Sequence, residues 1–159
     1  MERCRPAETD DIPRVAALAR ELRAELVPLR GGALWAARNA RPEPLEDTFA
    51  ALLSDPETRV VVGLIDDVIV GFGVLEVEVL STQELLGRIT ELFVEEPARA
   101  VSVGETMAEA LLAFAAERRC VGVDTLALPG HRASKNFFED QGFTARLLVM
   151  HRPLRASEL

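Results

Sequence analysis

The residues best suited to chemistry in this chain lie between Ile89 and Phe143. Arg99-Ala100-Val101-Ser102-Val103-Gly104 links a strand-like run, Ile89–Val94, to an amphipathic helix pattern. A turn that opens directly into a helix presents unpaired backbone N–H groups and the positive end of the helix dipole. It therefore suits a phosphate or pyrophosphate. Glycine lets such a ligand approach the backbone closely, and Gly104 is the glycine of this turn. Alone, the turn also fits an ordinary strand-to-helix connection. Glu76, Glu78 and Glu91 are carboxylates on predicted strands, which is also how a solvated strand face reads. His131 opens a short predicted helix, as a cap or surface residue or as a candidate proton relay. His131 and His151 lie far apart, and Cys4 and Cys120 do not cluster with them, so no metal site is expected.

These residues need elements to position them. Residues 2–5 suit a short strand. Thr9 and Asp10 are candidate caps, Asp11 and Pro13 suit a first helical turn, and Val15, Leu18, Leu22 and Leu26 keep a helical period until Pro28. Residues 29–43 form a long connection, with a helical turn at Ala33–Arg38. A helix is predicted over Leu45–Leu53. Next comes a hairpin of Arg59–Ile65, an Asp66-Asp67 turn and Val68–Leu80, in which Gly71 and Gly73 mark a bulge or a close backbone approach. Ser81–Gly87 is a predicted loop. Beyond Ile89–Val94 the pattern predicts a helix over Ser102–Arg119, a strand over Asp124–Leu128 and a helix over His131–Gln141. Gly142 falls at the cap of that helix, and a last strand is predicted over Phe143–His151. The order β-α-α-β-β-β-α-β-α-β implies an α+β fold around a mixed, mostly antiparallel sheet.

A length of 159 residues with 48% hydrophobic content fits one domain, 1–159, with a substantial core. No apolar run reaches the ~18 residues of a membrane span. The N-terminus has no apolar signal core, so a cytoplasmic location and no membrane partner are expected. Two cysteines are too few for a disulfide framework. The net charge of −8 argues against nucleic acid as a partner and weakly favours a cationic one. The chain contains no tyrosine.

Several motifs together carry a resemblance. Arg99-Ala100-Val101-Ser102-Val103-Gly104 resembles the Arg/Gln-x-x-Gly-x-Gly/Ala acyl-CoA loop of the GNAT acyltransferases. Leu92-Phe93-Val94-Glu95-Glu96-Pro97 resembles the strand that leads into it, and Asn136-Phe137-Phe138-Glu139-Asp140-Gln141-Gly142-Phe143 its downstream Phe-Tyr-x-x-x-Gly-Phe segment. Arg5–Pro13 is similar to the usual opening of the family. The resemblance implies a three-layer α/β/α GNAT-like fold. It also implies acetyl-CoA as acyl donor and transfer to an amine of a small molecule or peptide by direct attack in a ternary complex. In that reading Arg99, Ala100 and the amides from Val101 through Ser102, Val103 and Gly104 to Glu105 hold the cofactor. Phe93 and Val94 pair with the pantetheine arm, and Val94 polarises the thioester. His131, Asn136 and Phe138 also fall at cofactor positions. Glu91 is the expected base, with Glu76 and Glu78 as alternates on the acceptor side. Trp35 and Arg38 are candidates to line the acceptor site. A homodimer is a further expectation from the resemblance. Ala100 and Ser102 stand where the family often has glycine, and Phe138 where it has the tyrosine acid. These departures also admit a domain that senses CoA or binds a protein without catalysis, or one that is purely structural.

Overall fold

A computed structural model describes residues 1–100 and 102–155. The chain divides into two compact units, one of Met1–Glu21 with Arg41–Leu126 and one of Leu22–Ala40 with the chain from Ala127 onward.

The first unit holds a five-stranded sheet in the order β1 (Glu2–Pro6), β2 (Thr58–Ile65), β3 (Val68–Val79), β4 (Leu85–Val94) and β5 (Val123–Thr125). Neighbours are antiparallel except β4 and β5, which run parallel. The β2–β3 hairpin closes where expected. Asp66 and Asp67 both take positive φ, 48° and 68°, as a two-residue turn matched to strand twist requires. Side chains alternate between the faces. On one face Phe72 of β3 meets Phe49 of α3 (Leu45–Ser54) edge-on, with ring centroids 5.8 Å apart. On the other lies α4 (Val103–Glu117), whose Met107 and Leu111 are fully buried. Helices on both faces of a mixed sheet give this unit an α/β/α layering.

Gly71 and Gly73 mark the close approach. A Cβ on Gly71 would stand 2.9 Å from the Met107 side chain and 2.7 Å from the Phe93 carbonyl oxygen. One on Gly73 would stand 2.9 Å from Leu92 and 3.0 Å from Leu111. Gly71 also borders a bulge: Gly63 pairs with Gly71 and Leu64 with Ile69, so Val70 is the extra residue of β3, and a second bulge lies at Val74/Leu75 against β4. Strand β4 begins at Leu85, inside the predicted loop, because Leu85–Gly87 pair with Val79–Val77 of β3.

Helix α1 (Ile12–Leu26) begins in the first unit and ends in the second. The second unit turns from α1 into α2 (Gly32–Arg38) through Gly31, with φ +80°, and Gly32. A Cβ on Gly32 would sit 1.8 Å from the Leu26 carbonyl oxygen, so only glycine fits. In α5 (Arg132–Asp140), Phe138 packs edge-on against Phe137 and Phe143 at 5.3 and 5.2 Å. Gly142, with φ +92°, caps the helix as expected. The predicted last strand does not form: residues 144–155 are neither strand nor helix. A strand needs a ladder partner, and none of the described strands pairs with this segment. The apolar run Leu147–Met150 also lacks the alternation that would fix one buried face.

Candidate functional site

The site in the first unit is built on a break in strand β4. Ile89 pairs with Leu75 of β3 and Glu91 with Val74, so Thr90 is an extra residue, a β-bulge. A bulge reverses which backbone groups face which neighbour. Before it, Gly87 N–H donates to Gly122 O, so Gly87 and Ile89 face β5. After it, Glu95 N–H donates to Val70 O across β3. Alternation along the antiparallel pair then turns the backbones of Glu91, Phe93 and Glu95 toward β3, and those of Leu92 and Val94 outward. On that outward side β5 has already stopped pairing at Thr125, opposite Ile89. Among the described residues no strand pairs with that side of β4 from Thr90 to Val94, which presents the N–H groups of Leu92 and Val94. The Val94 carbonyl accepts a 2.7 Å bond from Arg99 Nε, and the Arg99 guanidinium lies over the Phe93 ring at 5.3 Å.

Arg41 fastens the bulge. Its Nε donates to Glu91 Oε2 at 2.7 Å, and its Nη2 to Glu91 Oε1 at 2.8 Å and to Thr90 Oγ1 at 2.9 Å. Glu76, on β3 across the same face, lies 3.5 Å from Nη2. Arg41 and Glu91 are both largely buried, at 16% and 9% side-chain exposure. Burial pulls the guanidinium down, but the hydrogen bond and charge of Glu91, with the charge of Glu76, outweigh it and hold Arg41 above its ordinary value. Both oxygens of Glu91 are thus engaged, whereas Glu76 keeps more exposure. Glu78 faces Arg88 at 3.8 Å near the exposed end of the strands. Arg41 was not among the residues expected at the site. Two carboxylates on one sheet face, Glu76 and Glu91, were the signal that a cation had to lie between them.

The N-terminus of α4 comes next. Ser102 is its N-cap and makes no side-chain cap bond. Among the described residues the helical ladder starts with Thr106 N–H donating to the Ser102 carbonyl. The amides of Val103, Gly104 and Glu105 therefore precede it and have no acceptor within the helix. Ala100 and Ser102 are exposed; Val101, also expected here, lies outside the described residues. Among the described residues no group of three or more His, Cys, Asp or Glu could hold a metal ion.

The profile of the Acetyltransferase (GNAT) family matches residues 20–143, more than half of the chain. The chain belongs to the GNAT acetyltransferase family. No curated protein matches it in sequence. Solved structures share the fold. A mutant of the BH1408 protein from Bacillus halodurans is similar at a TM-score of 0.80, with 20% identity, over 95% of this chain and 99% of that one. Glucosamine-6-phosphate N-acetyltransferase from Arabidopsis thaliana gives 0.68, with 19% identity, over 98% and 99%. A predicted acetyltransferase with acetyl-CoA from Clostridium acetobutylicum gives 0.70, with 15% identity, over 97% of each.

The remaining expected GNAT residues lie in the second unit. His131 is the N-cap of α5, and its Nε2 is 3.7 Å from Glu25. Asn136 is exposed on α5, while Phe138, at 7% exposure, is the buried member of its aromatic cluster. Trp35 is half-buried and Arg38 exposed, both on α2. Among the described residues no helix is long and apolar enough to cross a membrane.

Proposed function

We propose that this GNAT domain transfers an acetyl group from acetyl-CoA to an amine of a small molecule or peptide, by direct attack in a ternary complex. The observation that carries this reading is the edge of β4 beyond the Thr90 bulge that no described strand covers, followed within ten residues by the N-terminus of α4, whose first amides have no acceptor within the helix. An extended, amide-bearing pantetheine arm adds to such an edge like a strand. The α4 terminus takes the pyrophosphate, and Ser102, whose hydroxyl makes no cap bond, contributes an additional donor there.

With the pyrophosphate at α4, the arm runs back along β4 from Val94 toward Thr90. Val94 N–H then pairs with the arm, and Leu92 N–H meets the thioester oxygen. A fixed backbone donor on the developing oxyanion is worth about 10²–10³ in rate. The thioester end of the arm falls beside the bulge, near the Arg41–Glu91–Glu76 cluster that spans β4 and β3. Glu76 holds the acceptor ammonium and receives its proton, directly or through water. Glu91 keeps Arg41 in place. The amine nitrogen bonds to the acyl carbon, the carbon–sulfur bond breaks to release the CoA thiolate, and the second proton of the nitrogen passes to solvent water as the amide forms. Phe138 stands at the family's tyrosine position, so the thiolate departs without a phenolic acid.

The test is thermal shift with acetyl-CoA and CoA, followed by thiol release across polyamines, peptides and small amines. Ligand at ~100 times its dissociation constant raises stability by about 2.7 kcal/mol. Binding with turnover of at least one amine is the expected result. Binding without turnover on any amine points to a sensing domain, and no binding refutes the reading.

A further inference from the structure

Within the first unit, the sheet face that carries Glu76 continues past it as a strip of alternating charge. Glu76 of β3 stands directly opposite Arg88 of β4, so the two side chains leave the sheet on one face. Glu78, two residues further along β3, shares that face. Glu76 and Arg88 form no ion pair with each other. Glu76 is drawn toward Arg41 at 3.5 Å, on the side of the bulge, and Arg88 toward Glu78 at 3.8 Å, on the other side. The Arg88 contact is longer than a hydrogen bond, and among the described residues its guanidinium donates to no acceptor. Arg41 on the same strip makes three such bonds. Arg88 is thus a planar fork of unused N–H donors, set beside the carboxylate that takes the acceptor's amine.

Side-chain exposure rises along the strip, from 9% at Glu91 through 32% at Glu76 to 46% at Arg88. The buried end lies at the Thr90 bulge and the open end leads to solvent. An acceptor whose amine has reached Glu76 therefore leaves its adjoining atoms beside Arg88. We propose that the acceptor is a small amino acid with a free carboxylate close to its reacting amine, the ammonium held by Glu76 and the carboxylate by Arg88. This rests on the acetyl-transfer reading and narrows its acceptor.

The charges suit that class and disfavour the others. An arginine fork matches a carboxylate in two parallel bonds. Amine and carboxylate of an amino acid lie side by side, as Glu76 and Arg88 do across the strand pair. A peptide N-terminus offers a neutral amide at the place of the carboxylate and leaves the fork without its charged partner. A polyamine brings a second cation toward Arg88, and like charge repels it. Transfer also removes the ammonium, so the product loses its attraction to Glu76 and is held by Arg88 alone.

The test measures thiol release from acetyl-CoA by the full chain with matched sets of acceptors. Each set is an amino acid, its carboxamide and the corresponding amine without the carboxylate, with rates compared per neutral amine. The expected kcat/KM is about 10-fold or more higher for the amino acid than for either counterpart, mostly through KM, as a charge-assisted pair predicts. In Arg88→Gln the preference should collapse, while Arg88→Lys should keep part of it through its point charge. Glu78→Gln removes the competing carboxylate from Arg88 and should lower KM for the amino acid, a gain that a merely structural role does not produce. Circular dichroism verifies the fold of each variant. Turnover of amides or simple amines as good as that of amino acids overturns this inference and leaves acetyl transfer standing. A preference that survives in Arg88→Gln also overturns it. Absence of thiol release with every acceptor overturns both.

Discussion

Replacing Arg41 by methionine probes the bulge and its stability together. Arg41 and Glu91 form a two-bond pair at 16% and 9% side-chain exposure. Removing one partner of a fully buried pair costs about 3–5 kcal/mol, mostly because the other charge is left unpaired. The residual exposure lets some water reach Glu91, which lowers the expected cost to about 2–4 kcal/mol. The reciprocal change, Glu91→Leu, leaves Arg41 with Glu76 at 3.5 Å and should cost roughly half as much. Arg41→Met/Glu91→Leu replaces the pair with apolar groups and should return to within about 1 kcal/mol of the unaltered chain. The coupling energy between the two positions is then at least about 2 kcal/mol, far outside the additivity expected of independent sites. Urea titration reads these values from midpoints at constant slope. Each kcal/mol also moves Tm by about 2–4 °C in a domain of this size. Loss of Arg41 also frees Thr90, so kcat should fall more than the KM for acetyl-CoA changes. Arg41→Lys should not restore it, because lysine lacks the planar two-pronged donor. An Arg41→Met chain within about 0.5 kcal/mol of the original, or a double variant whose cost is the sum of the singles, refutes this account.

Three other expectations follow from the same structure. Leu92→Pro removes the outward N–H, whereas Leu92→Ala keeps it; kcat should drop about 10²–10³-fold in the first relative to the second, and equal kcat values count against Leu92 as the thioester donor. Asp11 accepts bonds from Arg5 at 2.7 and 3.1 Å and from Glu8 N–H at 2.7 Å, and the Arg5 hydrogen bond, against the opposing effect of burial, holds its carboxyl below the usual carboxylate range. Its stabilisation is therefore full above the unfolded value of about 3.9 and is lost as pH falls through the lower folded value. Asp11→Asn should cost about 1–2 kcal/mol at neutral pH, with a gap that closes in acid; a urea midpoint difference that stays constant with pH contradicts the assignment. Gly32→Ala drives a methyl group into the Leu26 carbonyl and should cost at the upper end of about 1–3 kcal/mol. Hydrogen exchange should show that loss in α2, and unchanged protection there means the α1–α2 turn is not what holds it.

The first five predicted strands, the helices and the Asp66-Asp67 turn were legible because each depends on local pattern: β-branched runs, apolar period and cap residues. The loop between β4 and α4 was legible for the same reason. The bulge at Thr90 was not, because it is a property of two strands in register. No residue in Leu85–Val94 announces that Thr90 will have no partner on β3. The consequence reaches the chemistry, since one extra residue decides whether the backbone of Val94 and Leu92 or that of Phe93 faces outward. Arg41 was missed for a related reason. It lies 50 residues from Glu91 and its neighbours in sequence carry no motif. Phe137 and Phe138 are adjacent phenylalanines, and which one a helix buries depends on phase; here Phe138 is the buried one. The Phe143–His151 segment reads as a strand because propensity describes what a segment can become, whereas a ladder needs a partner.

The departures from the family pattern fall where the fold tolerates them. Ala100 and Ser102 are exposed loop residues, and Phe138 packs as well as a tyrosine would without a hydroxyl to satisfy. The groups that the proposed chemistry uses most are backbone N–H groups at Leu92, Val94 and the start of α4, which side-chain substitution leaves in place. Their direction is a different matter. It is set by the Thr90 bulge, and the bulge is pinned by one guanidinium that reaches it from outside every recognised motif. A site of this kind withstands changes in its motif residues and is vulnerable at Arg41. In close relatives that remain active, a replacement at that position should come with a compensating change at Thr90, Glu91 or Glu76, because removing the cation alone leaves the carboxylates on that face unpaired.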